Sequence, residues 1–520
     1  MNLVKFALLA AVLCCLLGAG FFWALKKPPL YHTLGFGRGA DSVTLDPALI
    51  SDGESASVGV QLFEGLLRFS DDYSRLDPCL ATSWEGSADG KEWIFHLRRG
   101  VRFHDGNPFT AEAVEFSLRR KFDRRFSYYR KEFLDVDQSL LSIKGLEAVD
   151  PFTIHITLNT PFAPFLAAIA NYADIVSPEA VRRWGTDFEK HPVGTGPFSF
   201  VEWIPEDRII LRRNDDYWGE RARLDRIVVR SIPDNNERLL ALKTGAIQVM
   251  DGISPDDFEE ILNRQDLHLQ ATPGLNIGFL AMNLNKKPFN LIKVRLAVNY
   301  AINKQNLVKI AYRGFAIPAR NPIPPTMWGF NDAIADYEYD PAQARRLLKE
   351  AGYKNGFETT LWTMPIPRPY MSEPRKIAEA IKANLNAVGI KTTIYSCDWE
   401  NYLARTANGE HDMALLGYTA DSPDPDDLLS TNFSSEYAVT PNAGNIAFFK
   451  NADVDDLLMR ARQEVGLPRR IELYKRVLAL IHEQAPWVPL AHAQTVMAYR
   501  SEVHDILHTD VFWFNKAWRE

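Results

Sequence analysis

Residues 415–427, LLGYTADSPDPDD, join an apolar strand pattern to a loop rich in proline and aspartate. The strand pattern starts slightly earlier, at Met413. The loop carries four carboxylates, on Asp421, Asp424, Asp426 and Asp427. An apolar strand that leads into a rigid acidic loop is a common way to build a binding site. We therefore expect this stretch to combine a buried strand with side chains that bind a ligand.

The residues before this stretch complete a β-α-β-α-β pattern. The pattern consists of a strand at 357–363, a helix at 374–388, an alternating strand at 390–396 and a helix at 399–407, before the strand at 413. Such alternation predicts a parallel sheet with right-handed crossovers, and ligands of such sheets bind beyond the carboxyl ends of the strands. Arg368 and Asp421 both follow strand ends, so we expect them at one edge of the sheet. The alternative is that both are ordinary solvated loop charges.

The composition is that of a globular protein with more than one domain. The chain has 520 residues, of which 46% are hydrophobic and 24% are charged. Its net charge of −7 is spread without a long basic run, which argues against nucleic acid as a partner. Cys79 and Cys397 are far apart in sequence and are expected to be free thiols that fill core space.

The N-terminal segment indicates export. An apolar run at residues 6–25 follows Lys5 and ends at Lys26. A run of about 20 residues can span a bilayer, whereas the apolar part of a signal peptide is usually shorter. The small residues at 18–20 offer a cleavage site, so residues 1–30 are predicted to be either a signal peptide or a retained membrane anchor. Both alternatives place the rest of the chain outside the cytoplasm, in the periplasm or anchored to the inner membrane.

The sequence contains no convincing catalytic motif. A GxSxG motif is absent, and His482-Glu483 lacks the second histidine of a metalloprotease motif. Residues 86–91 are one residue short of a phosphate-binding loop, and the next residue, Glu92, replaces the required hydroxyl. Pro423 and Pro425 make an EF-hand-like calcium site in the acidic loop improbable. We therefore predict a protein that is not an enzyme and that needs no cofactor or metal.

Separated motifs in a consistent order carry a family resemblance through nearly the whole chain. The motifs are ATSW (81–84), DGK (89–91), FHLR (95–98), GVRFHDG (100–106), GTGPF (194–198), NDDYW (214–218), NLNKKPF (283–289) and VRLA (294–297). Together they resemble the solute-binding proteins of the peptide/nickel ABC-transporter family, family 5. MPIPRPY (364–370) and GYTADSPDPD (417–426) are most similar to the dipeptide-binding members of that family.

The resemblance implies an α/β fold with two lobes that close like a clamshell, extended by an extra domain. Lobe I would combine residues 31–62, 204–277 and 498–520. The extra domain would cover residues 63–203, and lobe II residues 278–497. We expect residues 57–69 to form a helix at the end of the first lobe I segment. Ligand binding would close the lobes about strands near Ile204 and Ile277.

The resemblance also implies roles for individual residues. Arg368 would bind the carboxylate of a short peptide and Asp421 its α-amino group, because a guanidinium matches a carboxylate and an aspartate matches an ammonium. Tyr370 and Tyr418 match aromatic pocket positions, although packing in the core is equally consistent with them. Gly53, in the loop 51–53, would contribute backbone hydrogen bonds from the facing lobe.

The function implied is that of an extracytoplasmic receptor that captures a short peptide, with a dipeptide favoured, and delivers it to the membrane subunits of an ABC importer. A longer peptide, haem or a nickel chelate would be alternative ligands within the same class. A membrane-anchored sensor or a peptide-handling chaperone without a transport role is the alternative from a different class. A peptidase is disfavoured by the missing nucleophile and metal motifs.

Overall fold

A 12-stranded sheet forms the centre of the molecule, in a computed structural model that describes residues 32–136, 138–508 and 512–520. The strands are β1 (Thr33–Arg38), β2 (Leu67–Phe69), β3 (Leu76–Pro78), β4 (Ala81–Gly86), β5 (Glu92–Leu97), β6 (Ile143–Asp150), β7 (Thr153–Leu158), β8 (Phe198–Ile204), β9 (Arg208–Arg213), β10 (Arg226–Ser231), β11 (Val249–Met250), β12 (Leu267–Pro273), β13 (Asn276–Met282), β14 (Ala316–Pro318), β15 (Phe357–Trp362), β16 (Ile390–Tyr395), β17 (Met413–Thr419), β18 (Trp487–Arg500), β19 (Val503–His504), β20 (Leu507–His508), β21 (Phe512–Trp513) and β22 (Trp518–Arg519).

The helices lie between these strands. They are α1 (Gly53–Leu62), α2 (Ala111–Phe122), α3 (Phe133–Val136), α4 (Phe165–Tyr172), α5 (Pro178–Trp184), α6 (Asn235–Thr244), α7 (Phe258–Leu262), α8 (Ile292–Ala301), α9 (Lys304–Tyr312), α10 (Pro341–Glu350), α11 (Pro374–Ala387), α12 (Trp399–Ala407), α13 (Pro425–Phe433), α14 (Ala452–Gln463) and α15 (Leu467–Gln484).

The predicted β-α-β-α-β unit is confirmed in lobe II. Strands β15, β16 and β17 alternate with α11 and α12, and β15 pairs in parallel with both of the other strands. On α11, Ile377, Ile381 and Leu385 are fully or almost fully buried, as their spacing of four residues predicts. The sheet continues through β13, whose seven residues are all buried. A central strand that is covered on both faces has no polar side to expose.

Lobe I and the extra domain have separate hydrophobic cores. In lobe I, strands β11, β1, β10, β9 and β8 are neighbours in that order. In the extra domain, an antiparallel sheet with the order β4-β5-β7-β6 forms a core with helix α2, where Val114 and Leu118 are buried. The structure therefore has the two-lobed α/β architecture with an added domain that the resemblance implies.

Strand β18 belongs to both lobes. Its first half pairs with β13 and β14, and its second half, from Gln494 onward, pairs with β12. At the start of β13, the Asn276 side chain forms two hydrogen bonds with the main chain of Ala493, at 3.0 and 2.9 Å. A Cβ atom on Gly274 would lie 2.2 Å from the Asn276 amide nitrogen, so only glycine fits beside it. The lobes are thus connected at a tightly bonded strand crossing.

Two sequence-based expectations need revision. The helix predicted at 57–69 is α1, but it ends at Leu62, and residues 67–69 form strand β2 instead. Ile277 lies at the strand crossing as expected, but Ile204 does not, because it ends the edge strand β8 in a hairpin with β9. The predicted domain boundaries stay predictions. Near two of them, residues 198–204 pair with β9, and β18 pairs with β12 from Gln494 onward.

Two further expectations concern cysteine and the membrane. Cys79 is a buried free thiol, and Cys397 is free and half-buried. Within the described residues, none of the helices has the length and apolar character needed to cross a membrane. The predicted signal peptide or anchor at residues 1–30 lies outside the described residues.

Candidate functional site

The acidic loop between β17 and α13 is held in place by ion pairs of two buried aspartates. The carboxylate of Asp424 accepts two hydrogen bonds from Arg470, at 2.8 and 2.9 Å. The neighbouring Asp426 pairs with Arg462 at 3.1 Å, and burial raises the pKa of its carboxyl group. Both aspartates therefore anchor the start of α13 to the two helices that follow it, α14 and α15. This use of their carboxylates fits a structural role better than the calcium site considered above.

Asp421 differs from these aspartates because it is exposed at the start of the loop. Its carboxylate accepts a hydrogen bond from the phenol of Tyr172, and its main-chain carbonyl accepts one from the Asn171 side chain at 2.7 Å. Asn171 and Tyr172 end helix α4 of the extra domain. Asp421 therefore lies where lobe II meets the extra domain.

Arg368 lies in the proline-rich loop after β15. Its main chain forms two hydrogen bonds with Met371, at 3.1 and 2.8 Å, which close the loop into a tight turn. Its exposed guanidinium lies over the ring of Trp399, 4.9 Å from the ring centroid. Stacking on an aromatic face orients a guanidinium without using its hydrogen-bond donors. Arg368 can therefore still bind a carboxylate in its plane.

The strand register places Arg368 and Asp421 at one edge of the sheet, as predicted. Leu361 of β15 is opposite Met413 of β17, and the strands run in the same direction. Strand β15 ends at Trp362, opposite Ala414, whereas β17 continues to Thr419. The loop after β15 follows this extension, since the Tyr370 ring lies against Gly417.

The two predicted tyrosines each lie beside one of these charged residues. Tyr418 donates a hydrogen bond to Asp427 at 2.8 Å, and burial followed by the nearby carboxylates Asp427 and Asp421 raises its phenol pKa. Tyr370 is buried, and burial raises its pKa while Arg368 opposes that rise. Its ring lies against the main chain of Gly417, where a Cβ atom would be only 2.1 Å from the ring. Tyr370 therefore supports the floor of the site, whereas half-buried Tyr418 remains partly accessible.

Gly53 lies in lobe I, at the first position of helix α1. The Asp52 side chain caps this helix by accepting from the Ser55 N–H at 2.8 Å. Buried Arg38 donates to the carbonyl of Glu54 and, at 2.8 Å, to the hydroxyl of Ser42. Gly53 is exposed on this fixed turn, and a Cβ atom there would meet nothing within 4 Å. The structure therefore does not require glycine at this position. The predicted contribution of Gly53 to ligand binding would come from its main-chain groups.

Sequence reasoning missed Asn171, Tyr172 and Trp399. Trp399 opens helix α12, and its spacing alone suggested an ordinary helical residue. The two extra-domain residues end an apolar segment, FLAAIANY, that carries no binding motif. Asn171 and Tyr172 are 250 and 249 residues from Asp421, so no local pattern could have linked them to it.

Comparison of the sequence with known proteins identifies the family of this chain. Residues 75–439 match the family model for bacterial extracellular solute-binding proteins, family 5. The dipeptide-binding protein of Escherichia coli (strain K12) is 36% identical over 476 residues, which cover 88% of this chain and 89% of the relative. The heme-binding protein A of Haemophilus influenzae is 36% identical over 474 residues, which cover 86% of this chain and 84% of the relative.

A solved structure agrees with the sequence comparison. It is the ABC transporter-associated periplasmic binding protein DppA of Helicobacter pylori in complex with peptide STSA. The two proteins are 39% identical with a TM-score of 0.81, and the match covers 94% of this chain and 98% of that one. The motifs, the two-lobed fold and these matches agree, and the chain belongs to the family 5 bacterial extracellular solute-binding proteins.

Proposed function

We propose that this protein captures a short peptide with free termini, a dipeptide by preference, for delivery to an ABC importer. The family is a class of extracytoplasmic substrate-binding proteins that serve such importers, and its relatives include peptide binders. The finer assignment of ligand and of residue roles is our proposal. In it, Asp421 binds the ligand ammonium and Arg368 binds the ligand carboxylate.

The observation that carries this proposal is that the charged residues of the site have two different environments. Asp424 and Asp426 are buried in ion pairs with arginines, whereas Asp421 is exposed at the contact between lobe II and the extra domain. Arg368 is exposed at the same sheet edge with its guanidinium oriented by Trp399. One accessible carboxylate and one accessible guanidinium on neighbouring loops suit a small zwitterion.

Ligand length follows from the same arrangement. If both ends of the ligand are bound by fixed groups, each added residue would lengthen an extended ligand by about 3.3–3.6 Å and would displace one terminus. Tyr418 beside Asp421 and Trp399 beside Arg368 would pack on the ligand side chains. The names of relatives do not agree on a ligand, since one is called a dipeptide-binding protein and another heme-binding protein A. Haem is therefore the competing ligand.

Mass spectrometry of small molecules that co-purify with the exported protein tests the ligand class directly. The proposal expects short peptides with free termini, and it expects added dipeptides to displace them. A titration with haemin tests haem as the competing ligand. If haem is the ligand, the Soret band should shift on binding, and added dipeptides should not reverse the shift. Recovery of haem alone, with no peptide bound or binding, would contradict the proposal. Incubation with the same dipeptides, followed by analysis for free amino acids, tests for peptidase activity.

A further inference from the structure

The extra domain contacts the proposed ammonium site through two adjacent side chains. Tyr172 donates its phenol hydrogen to the Asp421 carboxylate, and Asn171 donates to the Asp421 carbonyl at 2.7 Å. One residue of lobe II is thus bonded at both its side chain and its main chain. A third bond lies close by, from the Ala163 N–H to the carbonyl of Arg462 at 2.7 Å. The segment 163–172 therefore bonds to lobe II at both of its ends.

Both sides of this contact are fixed by their own domains. On the extra-domain side, buried Lys121 of α2 donates to the carbonyl of Tyr172. On the lobe II side, Arg462 pairs with Asp426 at 3.1 Å and Arg470 binds Asp424, so the acidic loop is rigid. Groups that are ordered in advance lose little entropy when they meet. The phenol and the carboxylate are therefore positioned to form their bond whenever the extra domain and lobe II close together.

The chemistry of the bond suits an ammonium site. A carboxylate has about four acceptor positions on its two oxygens, so accepting from Tyr172 leaves capacity for a ligand ammonium. A hydrogen bond donated to a carboxylate also favours its charged form, which is the form that attracts an ammonium. The phenol is neutral, so it orients the Asp421 carboxylate without neutralising the negative charge that attracts the ligand ammonium.

We propose that Asn171 and Tyr172 form a latch that completes the ammonium subsite when the extra domain closes onto lobe II. This inference rests on the proposed function, in which Asp421 binds the amine of the ligand. Because helix α4 ends against both the side chain and the carbonyl of Asp421, a substituent on the ligand amine has to displace the latch. The latch thereby makes the protein select a free primary amine over an acylated one. Tyr172 acts in this as a positioning and specificity residue.

Calorimetry on the exported chain tests the latch with alanyl-alanine and N-acetyl-alanyl-alanine as probes. Tyr172→Phe should weaken binding of alanyl-alanine about tenfold or more, because a hydrogen bond to a charged group is lost. It should change binding of the acetylated probe much less, so the preference for the free amine falls. The matched control is Tyr128→Phe, in the same domain, whose ring lies 5.2 Å from that of Phe116. The control should retain native affinity for both probes.

A double-mutant cycle separates the latch from the proposed function. In an Asp421→Ala background, Tyr172→Phe should cause no further loss, because the two residues act on the same ammonium. Asn171→Ala provides a second test of the latch, with a smaller loss expected. If Asp421→Ala weakens alanyl-alanine binding but Tyr172→Phe and Asn171→Ala leave the ratio of the two probes unchanged, the latch is wrong and the proposed function stands. If Asp421→Ala has no effect, or the native protein does not bind alanyl-alanine, both fail.

Discussion

The carboxylate of Asp424 and the guanidinium of Arg470 form a buried bidentate pair, with nitrogen–oxygen distances of 2.8 and 2.9 Å. The pair connects the start of α13 to α15 and so fixes the loop that carries Asp421. Removing one partner of a buried pair leaves the other charge without compensation. We therefore expect Arg470→Ala to lower the free energy of unfolding by about 3–5 kcal/mol.

Urea denaturation followed by circular dichroism measures this change. Arg375→Ala is the matched control, because Arg375 pairs with Glu379 at 2.8 Å on the exposed face of α11. Removing an exposed pair of this kind should cost about 0.2–1 kcal/mol. A loss for Arg470→Ala that is no larger than that of the control would show that the buried pair does not stabilise the loop.

Three histidines should make the protein sensitive to acid: His411 and His492 are buried, and His104 is half-buried. Burial lowers the pKa of His104, His411 and His492 to about 4. The unfolded chain takes up these protons near the ordinary value of 6.5, whereas the folded state does so only near 4. Their contribution to stability is therefore fully present above pH 6.5 and is lost as the pH falls towards 4.

Two half-buried carboxyl groups act in the opposite direction. Burial raises the pKa of Asp174 to about 6 and that of Asp251 to about 7, so their contribution is lost as the pH rises through those values. The histidine and carboxyl contributions overlap in pH, so we compare the native protein with a variant that lacks one histidine. Between pH 7 and pH 4.5, the free energy of unfolding of His492→Gln should fall by about 2–3 kcal/mol less than that of the native protein. Parallel curves for the two proteins would contradict the lowered pKa.

The strand crossing makes a prediction about motion. Asn276 bonds to both main-chain groups of Ala493, and the His492 ring nitrogen Nδ1 lies 2.8 Å from the Asn276 carbonyl. Asn276→Ala would leave two buried main-chain groups without these partners, at about 1–3 kcal/mol each. We expect lower stability and a less defined closure, which small-angle scattering can detect. The native protein should show a smaller radius of gyration with alanyl-alanine than without it, and the variant a smaller difference.

Asn401→Ala is the control for the strand-crossing variant, since Asn401 is an exposed residue in the first turn of α12. It should scatter as the native protein does in both conditions. A native profile that does not change at saturating dipeptide would contradict closure about the crossing of β13 and β18.

Much of lobe II could be predicted from the sequence because its periodicities are local. The spacing of Ile377, Ile381 and Leu385 marks a helix face, and the apolar run at Met413 marks a buried strand. The same reasoning failed at residues 57–69. There Val58 and Leu62 pack in the core of lobe I, whereas Leu66 packs in that of the extra domain. The regular spacing of apolar residues thus continues from one domain into the next. It predicted a single helix because the boundary between the domains is visible only in the tertiary structure.

The site could be predicted in part for the same reason. Strand ends placed Arg368 and Asp421 at one edge, and the structure confirms that placement, whereas their roles in binding remain predictions. The partners of Asp421 and Asp424 were not predictable, because Tyr172 and Arg470 lie 249 and 46 residues from them. The part that β18 plays in the strand crossing was not predicted, because its sequence does not show that its two halves pair in different lobes.

The most direct test of the proposed function is whether Arg368 and Asp421 bind the two ends of one dipeptide. Blocking either end of alanyl-alanine should weaken binding to the native protein by roughly 2–5 kcal/mol, because one charged partner is left uncompensated. Arg368→Ala should lose most of its preference for a free carboxylate over an amide. Asp421→Ala should lose most of its preference for a free amine over an acetylated one.

Calorimetry with the native protein, these two variants and the free, acetylated and amidated dipeptides completes both double-mutant cycles. We expect a large coupling energy between Arg368 and the ligand carboxylate, and between Asp421 and the ligand amine. Coupling of Arg368 with the ligand amine, or of Asp421 with the ligand carboxylate, should be small. Equal binding of the free, acetylated and amidated dipeptides to the native protein would contradict this expectation.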